Sequence, residues 1–451
     1  MIAELPERLQ LKINKDLPLA NHISLFMVRH ANGDVAATNL HYPKLGSVTI
    51  TIAKNDTNEE DARQMQRLLG LCHGNVQQRY QDCVGFALKG LSFVIPFCKP
   101  KILKRLGSIS PEVLDAVISK IESLDPYEWD SALKEGYQVN FRTVVRALSG
   151  KPATEGNGDL SIVNSARNKK VGLAEVVLGW LHFLKAALED PQGLLDGGND
   201  ERFLKASAMS DRLHRSVIFD DLLNKTDESP EEMAKLRMDL GKLGSYSRGF
   251  QLLFHVLSEP CRAGASPLKI KCRLLASPGT IKVKTAGEGW YELLNQFALS
   301  GLSQVDLQLS KEYLISQWAN REHKFVVPEA VTAAYHCEMQ LLDHLKAQKI
   351  YQGIVGVSKD CCELCSVAMA KMSSQANGCS WYASRGQGRV YVGLLPRDRE
   401  LALHLRATVD TMLWDVLVKL RNRNESPVCT TERALLPNEG HDILVGLFED
   451  W

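Results

Sequence analysis

The sequence predicts an α+β protein with more than one domain, in which a mostly helical N-terminal region precedes a smaller α/β domain. Apolar residues recur at helical spacing from about residue 58 to 258, and from residue 336 short helical and strand-like segments alternate. Between these patterns lies 259–267, a stretch with two prolines and a glycine that favours a boundary. We therefore expect three parts: a helical region over 1–265, an α/β domain over 266–400, and a C-terminal helix and tail over 401–451.

The helical region is predicted from stripes of apolar residues on one face of each helix. Val113, Val117 and Ile121 lie four residues apart, which is the spacing of the buried side of an amphipathic helix. A helix start is predicted at Ser229, because a serine, a proline and Glu232 then occupy the N-cap, first and third helical positions.

Two further segments have a distinct apolar pattern. Residues 46–52 alternate apolar and polar side chains as a strand does, within an N-terminal stretch that otherwise resembles loop. The most apolar long stretch, 172–188, contains Glu175 and Lys185 and is too short and too charged to span a bilayer. We expect it to be a buried helix, and we expect no transmembrane segment.

The overall charge of the chain points to no particular partner. The 451 residues include 54 basic and 53 acidic side chains, which gives a formal net charge of +1. No global field therefore attracts nucleic acid, an acidic polymer or a membrane surface, and binding of a polyanion would depend on a local patch.

The N-terminus and the cysteines predict a cytoplasmic or nuclear protein without a membrane partner. The first residues include acids and Pro6, where a secretory signal needs a basic start and an unbroken apolar run. The chain has 11 cysteines without the regular spacing of a disulfide framework, which favours reduced thiols.

A histidine, a glutamate and a pair of cysteines form the most informative motif in the chain. His336 and Glu338 give H-x-E, and Cys362 and Cys365 give C-x-x-C. The elements predicted around them are a helix, a strand and a second helix, over 336–347, 350–357 and 361–372.

These residue types are the ligands that zinc prefers. Imidazole nitrogen and thiolate sulfur bind Zn²⁺ in a tetrahedron, and three protein ligands leave the fourth position to water, as in catalytic sites. His336, Cys362 and Cys365 supply three such ligands. Cysteines three residues apart at the start of a helix share one face, and the helix N-terminus favours their thiolate forms. The cofactor expected from the sequence is Zn²⁺.

Glu338 is the candidate catalytic residue. It lies two residues from His336 in the first predicted helical turn, so its carboxylate can lie beside a metal-activated water without binding the metal. Such a water can attack a ring carbon bearing an amino group, while the carboxylate moves protons to the ring nitrogen and to the departing ammonia. The chemistry that this arrangement favours is hydrolytic deamination of a nucleobase.

At these residues the sequence resembles the cytidine deaminase-like superfamily, whose zinc enzymes share H-x-E followed by P-C-x-x-C. The run 351–365 and Arg385-Gly386 behind it are similar to the Orientia-type deaminase-like group, which is common in fungal genomes. The resemblance covers about 336–396. It implies a three-layer α/β/α domain with a mixed sheet, zinc ligation by the histidine and the C-x-x-C cysteines, and a proton-shuttling role for the glutamate.

The chain departs from the superfamily pattern at Cys361, where the pattern has proline. This spare thiol could compete as a metal ligand, so that the choice of Cys362 rests on the C-x-x-C spacing. Cys337 or Cys379 as a fourth ligand would close the coordination and give a structural zinc site, and a lone C-x-x-C could also be a redox pair.

Four residues near the motif are weaker candidates for binding substrate. Trp381 and Tyr382 could stack on a base, although aromatic residues in a strand are more often core. Lys359 and Arg385 could meet a phosphate, although solvated charge at turns and helix ends is the more common situation.

The sequence therefore supports two hypotheses. The first is a zinc-dependent hydrolytic deaminase acting on a cytosine- or adenine-type base, free or in nucleic acid. The second is a non-catalytic interaction or effector protein, in which a structural zinc holds a deaminase fold and the helical region binds a protein partner.

Overall fold

The structure is a computed structural model of the chain. It describes residues 7–44, 46–76, 82–123, 162–164, 169–171, 173–215, 229–262, 268–284, 330–350, 352–359, 361–375, 380–383 and 396–424.

The described strands are, in chain order, β1 (Ala36–His41), β2 (Ser47–Lys54), β3 (Ile162–Asn164), β4 (Lys169–Val171), β5 (Lys269–Leu274), β6 (Thr280–Lys284), β7 (Ala330–Ala334), β8 (Gln352–Val357) and β9 (Ser380–Ala383). Five of them form one mixed sheet in the order β5-β2-β1-β8-β9. Strand β1 is antiparallel to β2 and to β8, while β5 runs parallel to β2 and β9 runs parallel to β8. The remaining four form two separate antiparallel pairs, β3 with β4 and β6 with β7.

The described helices are α1 (Glu7–Phe26), α2 (Glu59–Val76), α3 (Cys83–Gly107), α4 (Pro111–Ser123), α5 (Leu173–Glu189), α6 (Pro191–Leu195), α7 (Asp200–His214), α8 (Pro230–Arg262), α9 (Cys337–Ala347), α10 (Glu363–Gln375) and α11 (Arg399–Asn424). Helix α8 begins as the sequence predicts, because the Glu232 backbone N–H donates to the Ser229 hydroxyl. The protein is therefore α+β, with helices in the majority and one mixed sheet.

The sheet crosses the boundary expected near residue 265. Strands β1 and β2 come from the segment predicted to be mostly helical, yet they pair directly with β8 and β5 of the segment predicted to be the α/β domain. The alternation seen over 46–52 is the sequence signal for β2, since a strand presents successive side chains to opposite faces. The N-terminal segment thus supplies two neighbouring strands of the five-stranded sheet.

A hydrophobic core lies on each face of this sheet. Ile52 and Ile354 contribute to a large cluster with the helices before residue 263, and their neighbours Ala53 and Val355 contribute to a second cluster with α9, α10 and α11. In the large cluster, the rings of Phe26 and Phe250 stack with their centroids 4.4 Å apart. Successive residues of β2 and of β8 therefore point into opposite cores. The C-terminal helix, α11, packs in the second core.

Helix α3 is the one described helix that is long and apolar enough to cross a membrane by length and composition alone. In this structure its apolar residues, among them Phe86, Leu91 and Val94, are buried in the large core. The stretch 172–188, singled out from the sequence, forms most of α5 and buries Trp180 and Leu181, as expected for a core helix.

Helix α1 packs directly against β8 through its backbone. A Cβ atom on Gly356 would lie 2.3 Å from the backbone of Ala20 and Asn21, which is closer than real Cβ contacts. The Asn21 Oδ1 accepts a hydrogen bond of 2.7 Å from the Val357 N–H, and the Ser24 hydroxyl donates to the Gly356 carbonyl at 3.1 Å. Glycine at position 356 is therefore required for α1 to reach the strand that leads into the C-x-x-C segment.

We predict that Gly356→Ala lowers the free energy of unfolding by about 3 kcal/mol, because neither backbone can give way easily. Urea unfolding followed by circular dichroism measures the change. Gly70→Ala is the matched control: Gly70 is an exposed helical glycine with open space at its Cβ, and alanine there should raise stability by about 0.5 kcal/mol. Equal stability of Gly356→Ala and the parent would contradict the close packing of α1 on β8.

Candidate metal centre and its cavity

The histidine and the cysteine pair are placed by the ends of secondary-structure elements. His336 follows β7 and is the N-cap of α9, but its side chain makes no capping hydrogen bond. Cys362 directly precedes α10, and Cys365 lies in the first turn of that helix. The His336 Nδ1 lies 3.3 Å from the Cys362 Sγ and 3.2 Å from the Cys365 Sγ. The structure thus brings together the three ligands predicted from sequence.

The spacing of these atoms fits a zinc ion. Tetrahedral Zn–N and Zn–S bonds place an imidazole nitrogen and a thiolate sulfur about 3.5 Å apart, which is close to both observed distances. All three candidate ligand atoms lie within 4.8 Å of one another. One nitrogen and two sulfurs are also a donor set that favours zinc over harder cations such as Mg²⁺ and Ca²⁺.

The two thiols already differ in their acidity. A hydrogen bond from the Cys365 thiol, together with the nearby His336, lowers the pKa of Cys362 to about 4 despite burial. The same hydrogen bonding, to Cys361 and Cys362, raises the pKa of Cys365 well above its ordinary value. One thiolate therefore forms readily, and coordination by a divalent ion would deprotonate the second thiol.

Glu338 lies beside this cluster with its carboxylate held by two other cysteines. The Cys337 thiol donates to Oε2 over 3.3 Å, and the Cys361 thiol donates to Oε1 over 3.7 Å. Burial, followed by the charge of Glu338, raises the pKa of Cys337 well above its usual value, so that Cys337 remains a neutral donor. The Glu338 side chain is buried, with 4% of the residue exposed. Its carboxylate is thus fixed next to the candidate metal ligands.

Cys361 belongs to a second, overlapping group of possible ligands. A Glu338 oxygen, the Cys361 Sγ and the Cys365 Sγ lie within 4.8 Å of one another. The two groups share Cys365, while His336 contacts the sulfur of Cys362. The geometry pairs Cys362 with the histidine and Cys361 with the glutamate.

His336, Glu338 and Cys362 line a cavity of about 230 Å³. Its other walls come largely from the N-terminal part of the chain, which sequence analysis did not assign to the site. The lining residues from that part are Ala31, Asn32, Gly33, Asp34, Val35, Asn55, Lys101 and Lys104. Asn55 directly follows the alternating strand. A polar residue at a strand end is the sequence feature that could have indicated this wall of the cavity.

The end of β2 fixes the start of α9, which follows His336. The Asn55 Oδ1 accepts a hydrogen bond of 2.9 Å from the Cys337 N–H, which is one of the unpaired donors of the first turn of α9. The Gln340 amide donates to the Lys54 carbonyl at 3.0 Å. These two hydrogen bonds orient the turn that carries both His336 and Glu338.

A buried ion network holds the loop that forms the opposite wall. The Lys54 ammonium group is fully buried between Asp61, at 2.5 Å, and Asp34, at 3.2 Å. Asp34 also accepts hydrogen bonds from the backbone N–H groups of Arg29 and His30. Because Asp34 is already paired with a buried cation, its charge is largely compensated within the wall of the cavity.

Of the four weaker substrate-binding candidates, one lines the cavity and one is buried in the core. Lys359 lines the cavity. Trp381 is buried in the second core and is not among the described residues that line the cavity, so in this structure it is a packing residue. Tyr382 is part of β9, but its side chain lies outside the described residues, as do Arg385 and Cys379.

A histidine and two cysteines gathered at helix starts, with a buried carboxylate beside them, are the arrangement of zinc-dependent deaminases. Residues 335–396 match the model of a family described as OTT_1508_deam:-like deaminase. The match confirms, for this segment, the resemblance inferred from H-x-E and C-x-x-C. Comparisons with curated proteins and with solved structures find no match.

We predict that the purified protein binds about one Zn²⁺ per chain, and that Cys362→Ser or Cys365→Ser removes most of it. Cys361→Ser is the matched control, because Cys361 is an adjacent, equally buried thiol that faces Glu338. Elemental analysis of the metal-protected proteins gives the zinc content. Loss of zinc in Cys361→Ser but not in Cys362→Ser would reverse the assignment of the ligands.

Proposed function

We propose that the chain is a zinc-dependent hydrolytic deaminase of nucleobases, in which Glu338 moves the protons. The proposal is supported by the family match over 335–396 and by the His-Cys-Cys cluster. The observation that carries it is the position of Glu338, whose buried carboxylate lines the same cavity as His336 and Cys362.

The reaction replaces the exocyclic amino group of a base with oxygen from water and releases ammonia. A zinc ion held by His336, Cys362 and Cys365 would supply a Lewis acid that makes water nucleophilic at neutral pH. Glu338 accepts a proton from the nucleophile and passes it to the ring nitrogen of the base. A second proton taken up from the nucleophile and delivered by Glu338 lets the amino group leave as ammonia.

The surroundings of Glu338 suit this repeated proton transfer. Two neutral thiols, Cys337 and Cys361, hold its carboxylate in place through hydrogen bonds to both oxygens. The cavity volume of about 230 Å³ is below the range for drug-sized ligands, so that it admits one base rather than a whole dinucleotide.

We predict that Glu338→Gln retains zinc and the fold but lowers ammonia release at least about 100-fold, because the amide cannot accept the proton. The assay offers cytosine- and adenine-type bases as nucleosides, nucleotides and single-stranded oligonucleotides. Glu400→Gln is the matched control, since both glutamates lie in the first turn of a helix but Glu400 is exposed on α11.

Undiminished turnover by zinc-loaded Glu338→Gln would contradict the proton-shuttle role. Absence of ammonia release from every base offered to the zinc-loaded parent would contradict the enzymatic proposal itself.

One observation favours a second candidate function, in which zinc is structural. The group formed by Glu338, Cys361 and Cys365 overlaps the first, so that Cys361 or Glu338 is near enough to close the coordination. A closed site would leave a deaminase-like domain acting as an interaction module, with the helical region binding a protein partner. Zinc-edge X-ray absorption separates the two candidates: two sulfur ligands with an oxygen that Glu338→Gln leaves unchanged support the enzyme, whereas three sulfurs, or an oxygen lost in Glu338→Gln, support the structural site.

A further inference from the structure

Three lysines surround the cavity that contains the candidate metal ligands. Lys101 and Lys104 lie one turn apart on the same face of α3, and Lys359 follows β8. All three line the cavity together with His336 and Glu338. Two distant parts of the chain thus supply positive charge to one opening, although the net charge of the whole protein is only +1.

The partners of Lys101 and Lys104 leave their charges available. The Lys101 ammonium donates to the Ala31 carbonyl at 3.3 Å, and the Lys104 ammonium donates to the Asn32 Oδ1. Both acceptors are neutral, and within the described residues neither lysine forms an ion pair. Of the two carboxylates in the lining, Asp34 is engaged with the buried Lys54 and Glu338 lies beside the candidate metal ligands. The three lysines therefore outnumber the lining carboxylates.

Lys101 is held in a position that disfavours its charge. Burial of part of the side chain, followed by repulsion from Arg105, Lys104 and Lys359, lowers the pKa of Lys101 to about 8, against an opposing effect of Asp34. Crowding of ammonium groups is unfavourable, and an arriving anion relieves it. Lysines scattered on a solvated surface would not perturb one another in this way.

We infer that Lys101, Lys104 and Lys359 bind a phosphate group of the substrate, so that the chain acts on nucleotide units rather than on free bases or nucleosides. This inference rests on the proposed function for the identity of the base-binding cavity. The phosphate belongs either to a mononucleotide or to a nucleic-acid strand, since both present the same anion beside a base.

The dimensions agree with this division of the substrate. A cavity of about 230 Å³ that admits one base next to His336 and Glu338 would leave the sugar and phosphate to lie against the lysines of its lining. Lysine acts as a flexible point charge for phosphate, which suits an opening where the anion must enter and leave. The helical N-terminal segment would then take part in recognising the substrate.

The experiment measures binding separately from turnover. Full-length, zinc-loaded Glu338→Gln protein is titrated calorimetrically with cytidine, adenosine, their 5′-monophosphates and a mixed-sequence single-stranded oligonucleotide. We expect each phosphate-bearing probe to bind at least about tenfold more tightly than the nucleosides, because charge-assisted hydrogen bonds are strong. Equal affinities for nucleosides and phosphate-bearing probes, or no binding of any phosphate-bearing probe, would overturn the inference.

Lysine variants in the same background assign the effect to the cavity. Lys101→Ala, Lys104→Ala and Lys359→Ala should each weaken phosphate-bearing probes about tenfold and leave the nucleosides unchanged. Lys89→Ala is the matched control, because Lys89 is an exposed lysine of α3 that is not among the cavity-lining residues. Thermal unfolding checks that each variant is folded. An equal loss in Lys89→Ala would indicate non-specific attraction and overturn the inference.

The titration of Lys101 gives an independent readout. Lys101 is protonated below its pKa of about 8, so the affinity for nucleotide should fall as the pH rises from 7 to about 9. Lys101→Arg keeps its charge over this range and should bind with a weaker pH dependence. An identical pH dependence in parent and Lys101→Arg would show that Lys101 does not contact the phosphate.

The outcomes keep the inference distinct from the proposed function. Ammonia release from nucleosides as fast as from nucleotides, with neither rate changed by the lysine variants, would overturn the inference and leave the deaminase proposal standing. Lysine-dependent nucleotide binding without ammonia release would do the opposite. Preference for the 5′-monophosphates over the oligonucleotide assigns the phosphate to a free nucleotide, and the reverse preference assigns it to a nucleic-acid strand.

Discussion

The buried ion network around Lys54 is the constraint on which the site depends. Its ammonium and the Asp61 carboxylate are fully enclosed, and removing one member of such a network typically costs about 3–5 kcal/mol because the other charges lose their compensation. The network joins β2 to α2 and to the loop that forms one wall of the cavity. The carbonyl of the same lysine orients α9 through Gln340, so that one residue secures two sides of the cavity.

Chemistry at this site depends on segments that are far apart in the sequence. The candidate metal ligands and Glu338 come from the segments after β7 and β8 and from the starts of α9 and α10, whereas much of the cavity wall comes from residues before 105. Both cores meet at the sheet, where alternate residues of β8 contact one or the other. The helical segment is thus part of the architecture around the site and not a separate appendage.

The parts of the structure that follow local rules could be predicted from sequence. His336, Cys362 and Cys365 could be picked out as candidate ligands, with Glu338 beside them, because metal ligation requires particular residue types at short spacing; the start of α8 was predicted because capping is local. The membership of β1 and β2 in the sheet with β8 was not predicted, since strand pairing over some 300 residues leaves no local pattern. Lys101 and Lys104 were missed because no local pattern shows which distant residues a helix faces. In the sequence they resemble any solvated charge on a helix.

The pairing of β1 with β8 has a consequence for the segment 335–396 on its own. Separated from the N-terminal strands, β8 would become an edge strand with unpaired backbone N–H and C=O groups on that side, and Ile354 would lose the large core in which it packs. Unprotected edges of this kind recruit other chains and lead to aggregation. We therefore expect the solubility of the segment that carries the deaminase signature to depend on residues more than 310 positions away in the chain.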